Sequence, residues 1–308
     1  MAKKKELTII SVFKIFLDGL CLYFKNLNKF SKYMTFPVLG QLLGIVLIFT
    51  IQHLFTSNIE KIIFINPVFN NVSVVFTTLL VVTLPAFVIF LAAFWKYVVA
   101  MGALNSMANN LICAAKLEDL SIHNDTVNRR VQTFLGLLLI ISLISLSAII
   151  PLLWVPLLIL MIFLSISFQI FALEENLNAI EICKKSFKIV KGNFLKTTLL
   201  LFTLYLTTYI LFPEIINFAF NKFNIFNLII SPIEAYVRNL PLDEVQSLLQ
   251  SAIPNLTLDI TNISKKLATM TISTIVICYT LPLRSICCTL LYKDLELKKL
   301  KEKKLKEL

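Results

Sequence analysis

Lys184, Lys185, Lys188 and Lys191 crowd one short segment of this 308-residue chain, EENLNAIEICKKSFKIVKGNF, residues 174–194. On a helix they cover roughly two turns. Beside an apolar stripe, such a cluster suits the phosphates of anionic headgroups, each amine contributing on the order of 1 kcal/mol near a charged leaflet. The plainer reading of the same residues is a helix held along the membrane interface by its apolar face alone. Other chemistry finds little to build on. The cysteines Cys21, Cys113, Cys183, Cys278, Cys287 and Cys288 form no C-x-x-C pair and have no histidine at metal spacing. The two histidines, His53 and His123, are far apart in the chain, which leaves a histidine-based metal site or triad without members. Neither a phosphate-binding lysine loop nor G-x-G-x-x-G occurs among the six glycines. The expectation is therefore no catalytic residue, no cofactor and no metal, hence not an enzyme.

The elements that must carry those lysines follow from composition. Hydrophobic residues make up 57% of the chain and charged residues 15%, with a mean hydropathy of +0.83. Soluble domains carry about 25% charged residues, so this chain lacks the polar surface to cover a water-soluble globule. Disorder is excluded on the same ground. The class is all-α: a polytopic transmembrane helical bundle of about six spans with cytoplasmic amphipathic helices, forming a single integral membrane domain over residues 1–308. A helix needs roughly 20 apolar residues to cross the hydrocarbon, and the runs that qualify lie near 35–55, 72–95, 134–150, 156–172, 195–212 and 267–290. The 39 uncharged residues Phe134–Ala172 are too long for one span. Pro151 and Pro156 divide them, with Trp154 at the turn of a helical hairpin. Pro213–Glu214 is expected to stop the fifth span. Trp95–Lys96–Tyr97 is an aromatic–basic anchor at the end of the second.

Orientation follows from the basic residues. Twenty-four of the 29 Lys and Arg fall on the side that holds residues 1–34, 96–133, 173–196 and 284–308, and five fall on the other. That asymmetry places both termini in the cytoplasm and accounts for the net charge of +11 without nucleic acid. Residues 1–32 contain lysines throughout and lack a small-residue cleavage site behind an apolar run, so the N-terminus is expected to be retained.

The connecting segments carry their own patterns. Residues 1–33 read as an interfacial amphipathic helix with a stripe of Ile9, Phe13, Phe16, Leu20, Tyr23, Leu27 and Phe30, lying in the headgroup plane or packing against the bundle. In 100–130, Leu104, Met107, Leu111 and Ala115 form a weak stripe, Ser121 and Asp125 are candidate helix caps, and His123 reads as a solvated loop histidine. In 174–194 the apolar stripe is Leu177, Ile180, Phe187, Val190 and Phe194. Glu181 and Lys185 are spaced for an i,i+4 pair, and Gly192 for a C-cap. Residues 214–266 form the long external segment, punctuated by Pro232, Pro241 and Pro254. A short amphipathic helix is expected there at Leu242, Val245, Leu248 and Leu249. Asn71, Asn255 and Asn262 are acceptor triplets on this side. Residues 293–308 are a basic cytoplasmic tail with seven lysines. The cores of the spans contain no Asp or Glu, which argues against a proton-coupled transporter. Gly40-x-x-x-Gly44 reads as a packing contact within the bundle.

Two segments resemble a family. A cytoplasmic helix with Ala179, Ser186 and the run Val190–Phe194 leads into a span, and the last span ends in the pattern Pro282 to Asp294. Together they look like poorly characterised bacterial six-span membrane proteins related to the membrane domain of glycerophosphoryl diester phosphodiesterases. Leu104–Leu111 fits the second cytoplasmic loop of that family. The hydrolytic domain of the fused enzymes, rich in His, Glu and Asp, has no counterpart here, so the resemblance implies a membrane module and carries over no catalytic residue. The expected function is non-enzymatic interaction with membrane lipids or a membrane protein partner in a bacterial inner membrane. The alternative is a permease-like subunit for a neutral or lipidic substrate, and an integral-membrane lipid enzyme ranks third.

Overall fold

The computed structural model describes residues 2–114, 120–238, 246–247 and 259–304. Among these, every regular element is helical, and six stretches are long and apolar enough to cross a membrane: Leu27–Ser57, Val72–Ala114, Val131–Ile149, Pro151–Leu173, Phe194–Lys222 and Ile260–Lys299. Contacts group the chain into two compact units, Met1–Leu200 with Leu281–Leu308, and Leu201–Thr280.

In the first unit, α1 (Ala2–Lys25) is separated at Asn26 from α2 (Leu27–Ser57), so the interfacial segment expected over 1–33 ends about two turns sooner. A short α3 (Ile59–Ile65) leads to α4 (Val72–Ala114). Helix α2 lies against α4 because Gly40 and Gly44 remove the side chains that would hold the backbones apart. A Cβ on Gly44 would meet the Phe90 backbone at 2.9 Å, and one on Gly40 would meet the Ala93 Cβ at 2.8 Å. At about 1.5 Å per residue, the 43 residues of α4 reach about 65 Å, roughly twice the hydrocarbon thickness. Beyond the Trp95–Lys96–Tyr97 anchor its surroundings change: Val99, Ala100, Ala103, Leu104, Met107, Ala108 and Leu111 are buried. Leu104, Met107 and Leu111 of the weak stripe read in this segment belong to a packed core, and Ala115 lies outside the described residues.

That core is completed by α5 (Leu120–Asn128), α6 (Val131–Leu146), α7 (Trp154–Leu164), α8 (Ser167–Leu173), α9 (Ala179–Lys191), the start of α10 (Phe194–Tyr205) and a final helix described below. The α6–α7 hairpin turns through two 3₁₀ segments, Ser147–Ile149 and Pro151–Leu153. Pro151 opens the second, where its missing N–H costs nothing, and the Trp154 indole N–H donates to the Ala148 carbonyl at 2.8 Å. Ser121 and Asp125 lie inside α5, and the residue that precedes the third span's helix is Arg130, without a side-chain cap, because the chain turns helical earlier than its capping residues suggest. His123 is 2% exposed rather than solvated, with its Nδ1 3.0 Å from Ser106 Oγ, since α5 packs directly on α4.

In the second unit, the fifth apolar stretch does not stop at Pro213. A π segment, Leu206–Leu211, passes into α11 (Phe212–Lys222), with Pro213 in its first turn. The wider turn and the first-turn position absorb the missing N–H. Asn224, at φ 58°, makes the turn into α12 (Ile225–Arg238), a conformation Asn tolerates better than most residues. Pro232 sits inside α12 instead of breaking the segment. Asp259 caps α13 (Ile260–Tyr279) through the Thr261 N–H at 2.9 Å. Within this unit, the Asn217 side-chain amide donates to Ser273 Oγ at 3.1 Å. The amphipathic helix expected at Leu242, Val245, Leu248 and Leu249 lies outside the described residues. After Thr280, α14 (Leu281–Lys304) begins with Pro282 in its first turn. It returns the chain to the first unit and extends helically into the basic tail.

Candidate functional site

Helix α9 begins where Asn178 and Glu181 close a reciprocal cap. The Asn178 side chain accepts from the Glu181 N–H at 3.0 Å, and the Glu181 carboxylate accepts from the Asn178 N–H at 2.9 Å. Glu181 is thus committed to the cap and does not pair with Lys185. Residues Ile182, Ser186, Ile189 and Val190 form the buried stripe, with the Ser186 hydroxyl donating to the Phe163 carbonyl at 2.6 Å. The face is rotated from the expected one: Ile180 and Phe187 are 60% and 40% exposed. Gly192 ends the helix at φ −76°, an ordinary right-handed conformation, so no left-handed cap is formed.

The four lysines divide. Lys184, Lys188 and Lys191 are exposed, and with Ile180 and Phe187 they occupy about a third of the helix circumference at about 100° per residue. Phe187 still touches the bundle, its ring 4.3 Å from that of Phe163. Three amines and two apolar side chains thereby share one outward face, and the positive end of the segment coincides with the helix C-terminus. Lys185 is different. It turns toward the bundle and pairs with Glu174, whose same oxygen accepts a hydrogen bond from the Tyr292 hydroxyl on α14.

Below this face lies a set of polar interlocks. The Arg130 guanidinium, at the start of α6, donates to the carbonyls of Phe171 at 2.7 Å, Glu174 at 2.9 Å and Leu177 at 2.8 Å, and it stands 4.8 Å from the Phe171 ring. These oxygens belong to the end of α8 and the bend before α9, where helical partners run out. Desolvation by burial lowers the Arg130 pKa, and Glu175 opposes that shift. Lys196 on α10 bridges Asp294 on α14 at 2.6 Å and Ser11 on α1 at 2.5 Å. Lys298 donates to the Asn193 side chain at 2.9 Å. In the core, the Gln169 amide donates to Asn105 at 2.8 Å. Burial also raises the Cys183 thiol pKa.

Sequence reasoning found the lysines but missed the clamp made by Arg130, Glu174 and Tyr292. Asn178-x-x-Glu181 was a readable capping pattern, whereas Arg130 and Tyr292 have no local signal because their partners lie 41 to 118 residues away. Among the described residues, no cluster of His, Cys, Asp and Glu is placed to hold a metal ion. No family model, curated protein or solved structure matches this chain.

Proposed function

We propose that this chain is a non-enzymatic, multi-pass membrane protein that engages anionic phospholipid through the outward face of α9. The observation that carries the reading is the co-location of Lys184, Lys188 and Lys191 with exposed Ile180 and Phe187 on one helix face. Lysine stems can lie along apolar surface while their amines reach phosphate. The basic-residue asymmetry supports assigning this face to the cytoplasmic leaflet, with both termini on the same side, and a bacterial inner membrane is the setting that the family resemblance implies.

The resemblance to the six-span family fits the same proposal. Its motif residues are occupied in packing: Ser186 and Val190 are buried, Asn193 accepts from Lys298, Tyr292 binds Glu174, and Asp294 pairs with Lys196. A motif composed of interlocks supports a membrane module better than a reaction centre.

Native mass spectrometry with phosphatidylglycerol tests the assignment. Changing Lys184, Lys188 and Lys191 together to Gln should weaken lipid retention by up to about 3 kcal/mol, roughly a hundredfold. Unchanged retention in the triple variant refutes it. A second reading, a permease-like subunit for a neutral or lipidic substrate, is favoured by the π segment Leu206–Leu211 and the interruption at Thr280 in the last two apolar stretches. Such irregularities recur at functional sites in membrane proteins. Stoichiometric co-purification of an ATPase would favour that reading over the first.

A further inference from the structure

Three consecutive residues of α14 reach three different elements. The Tyr292 hydroxyl donates to Glu174 before α9, Asp294 accepts from Lys196 of α10 at 2.6 Å, and the Lys293 amine donates to the Cys113 sulfur of α4 at 2.7 Å. The first two contacts join ordinary hydrogen-bonding and ionic partners. The third sets an amine nitrogen against an oxidisable sulfur, 180 residues apart in the chain. Cys113 is exposed, whereas Cys287 and Cys288 are buried. It stands one residue before the end of α4, about 24 Å along the helix beyond the Tyr97 anchor, where a water-borne oxidant can meet it. Its sulfur also lies 3.7 Å from the Asn109 side-chain oxygen, one turn back.

We propose that Cys113 and Lys293 form a peroxide-responsive modification site, in which the oxidised thiol is captured by the amine and α4 becomes covalently joined to α14. The co-reactant is a hydroperoxide. Attack of the Cys113 sulfur breaks the peroxide O–O bond and oxidises the sulfur by two electrons to a sulfenic acid, while the other peroxide oxygen leaves as water or alcohol. After the Lys293 ammonium has given one proton to solvent, its nitrogen lone pair attacks that sulfur. The S–N bond forms as the S–O bond breaks, and the departing hydroxide takes a second proton from nitrogen and leaves as water. The product is a sulfenamide, the same class of adduct that sulfenic acids form with backbone nitrogen. Two small thiols reverse it. The first displaces the amine, and the second frees Cys113 and carries away a disulfide. Placement favours capture over further oxidation. Tyr292 and Asp294 tie down α14 on either side of Lys293, so only the flexible four-carbon stem of the lysine must move to close the gap.

This inference stands apart from the lipid reading. Its test uses the full chain in detergent micelles, treated with hydrogen peroxide, digested and read by peptide mass spectrometry, with dimedone in a parallel arm to trap sulfenic acid. The parent should yield a species joining the Cys113 and Lys293 peptides at their summed mass less two hydrogens, and dithiothreitol should abolish it. Lys293→Arg keeps the positive charge but removes the nucleophilic amine. That variant should lose the joined species entirely and gain dimedone label at Cys113. Its folding is checked by protection of the buried Cys287 and Cys288 thiols, and the parent readout decides the question even where the variant unfolds. Cys113 left as the thiol, carried to sulfinic acid or joined to another thiol, with no link to Lys293 in the folded parent, overturns the inference. Equal dimedone labelling of the parent and a folded Lys293→Arg does the same.

Discussion

Removing the Arg130 guanidinium should loosen the bend that presents α9. In Arg130→Ala, the carbonyls of Phe171, Glu174 and Leu177 lose donors at 2.7, 2.9 and 2.8 Å. A hydrogen bond to a charged group contributes about 1.5–3 kcal/mol, but these three share one cation and a half-exposed site, so they do not add in full. Loss of the contact with the Phe171 ring costs about 0.5–1 kcal/mol more. A net destabilisation of about 3–5 kcal/mol is expected, in line with breaking a partly buried charged network. At about 2 °C per kcal/mol for a chain of this size, the unfolding midpoint should fall by about 6–10 °C. Arg130→Lys should recover less than half of the loss, because an ammonium cannot span three carbonyls as a planar fork does. The assay is thiol-reactive dye uptake on heating in detergent, with the exposed Cys21 and Cys113 and the partly accessible Cys183 and Cys278 changed to Ser so that the signal reports the buried Cys287 and Cys288. A midpoint for Arg130→Ala within about 2 °C of the parent refutes the clamp.

Other outcomes follow from the same contacts. Gly44→Leu should separate α2 from α4 and lower the thermal midpoint strongly, while Gly192→Ala, with nothing within 4 Å of the added carbon, should be neutral or slightly stabilising. Lys185→Gln should destabilise the fold by leaving Glu174 without its cation, yet alter phosphatidylglycerol retention far less than the triple change at Lys184, Lys188 and Lys191. Burial raises the Tyr23 phenol pKa from 10 to about 12, so folding favours its neutral form. The stability it contributes is intact below pH 10 and is lost as the pH rises toward 12. Tyr23→Phe should flatten that part of the pH–midpoint curve.

The fold class was legible because hydropathy over 20-residue runs reports a solvent preference that no tertiary contact overrides. Helix phase was not. On α1 and α9 the apolar residues exceed one stripe, and a sequence cannot distinguish the apolar face that is buried from the one left exposed. Phe13 and Leu27 were therefore grouped with Tyr23 and Phe30, and Ile180 and Phe187 with Val190, although the structure buries Tyr23, Phe30 and Val190 and exposes the others. Pro213 misled for a local reason: a proline normally ends a helix, but a π turn before it removes the conflict. His123 misled for a distant one, since its burial depends on α5 folding back over Ser106 of α4. At the candidate site, the lysine cluster was visible as composition, and the division between Lys185 and the other three depended on Glu174 lying across the bend.

The lipid proposal depends on which side of the membrane the basic surface faces. Impermeant maleimide labelling of intact cells, on a cysteine-free background carrying either Lys61→Cys or Lys299→Cys, tests this directly, as both native side chains are exposed. The account predicts labelling of Lys61→Cys from outside and of Lys299→Cys only after permeabilisation. Labelling of Lys299→Cys in intact cells contradicts it.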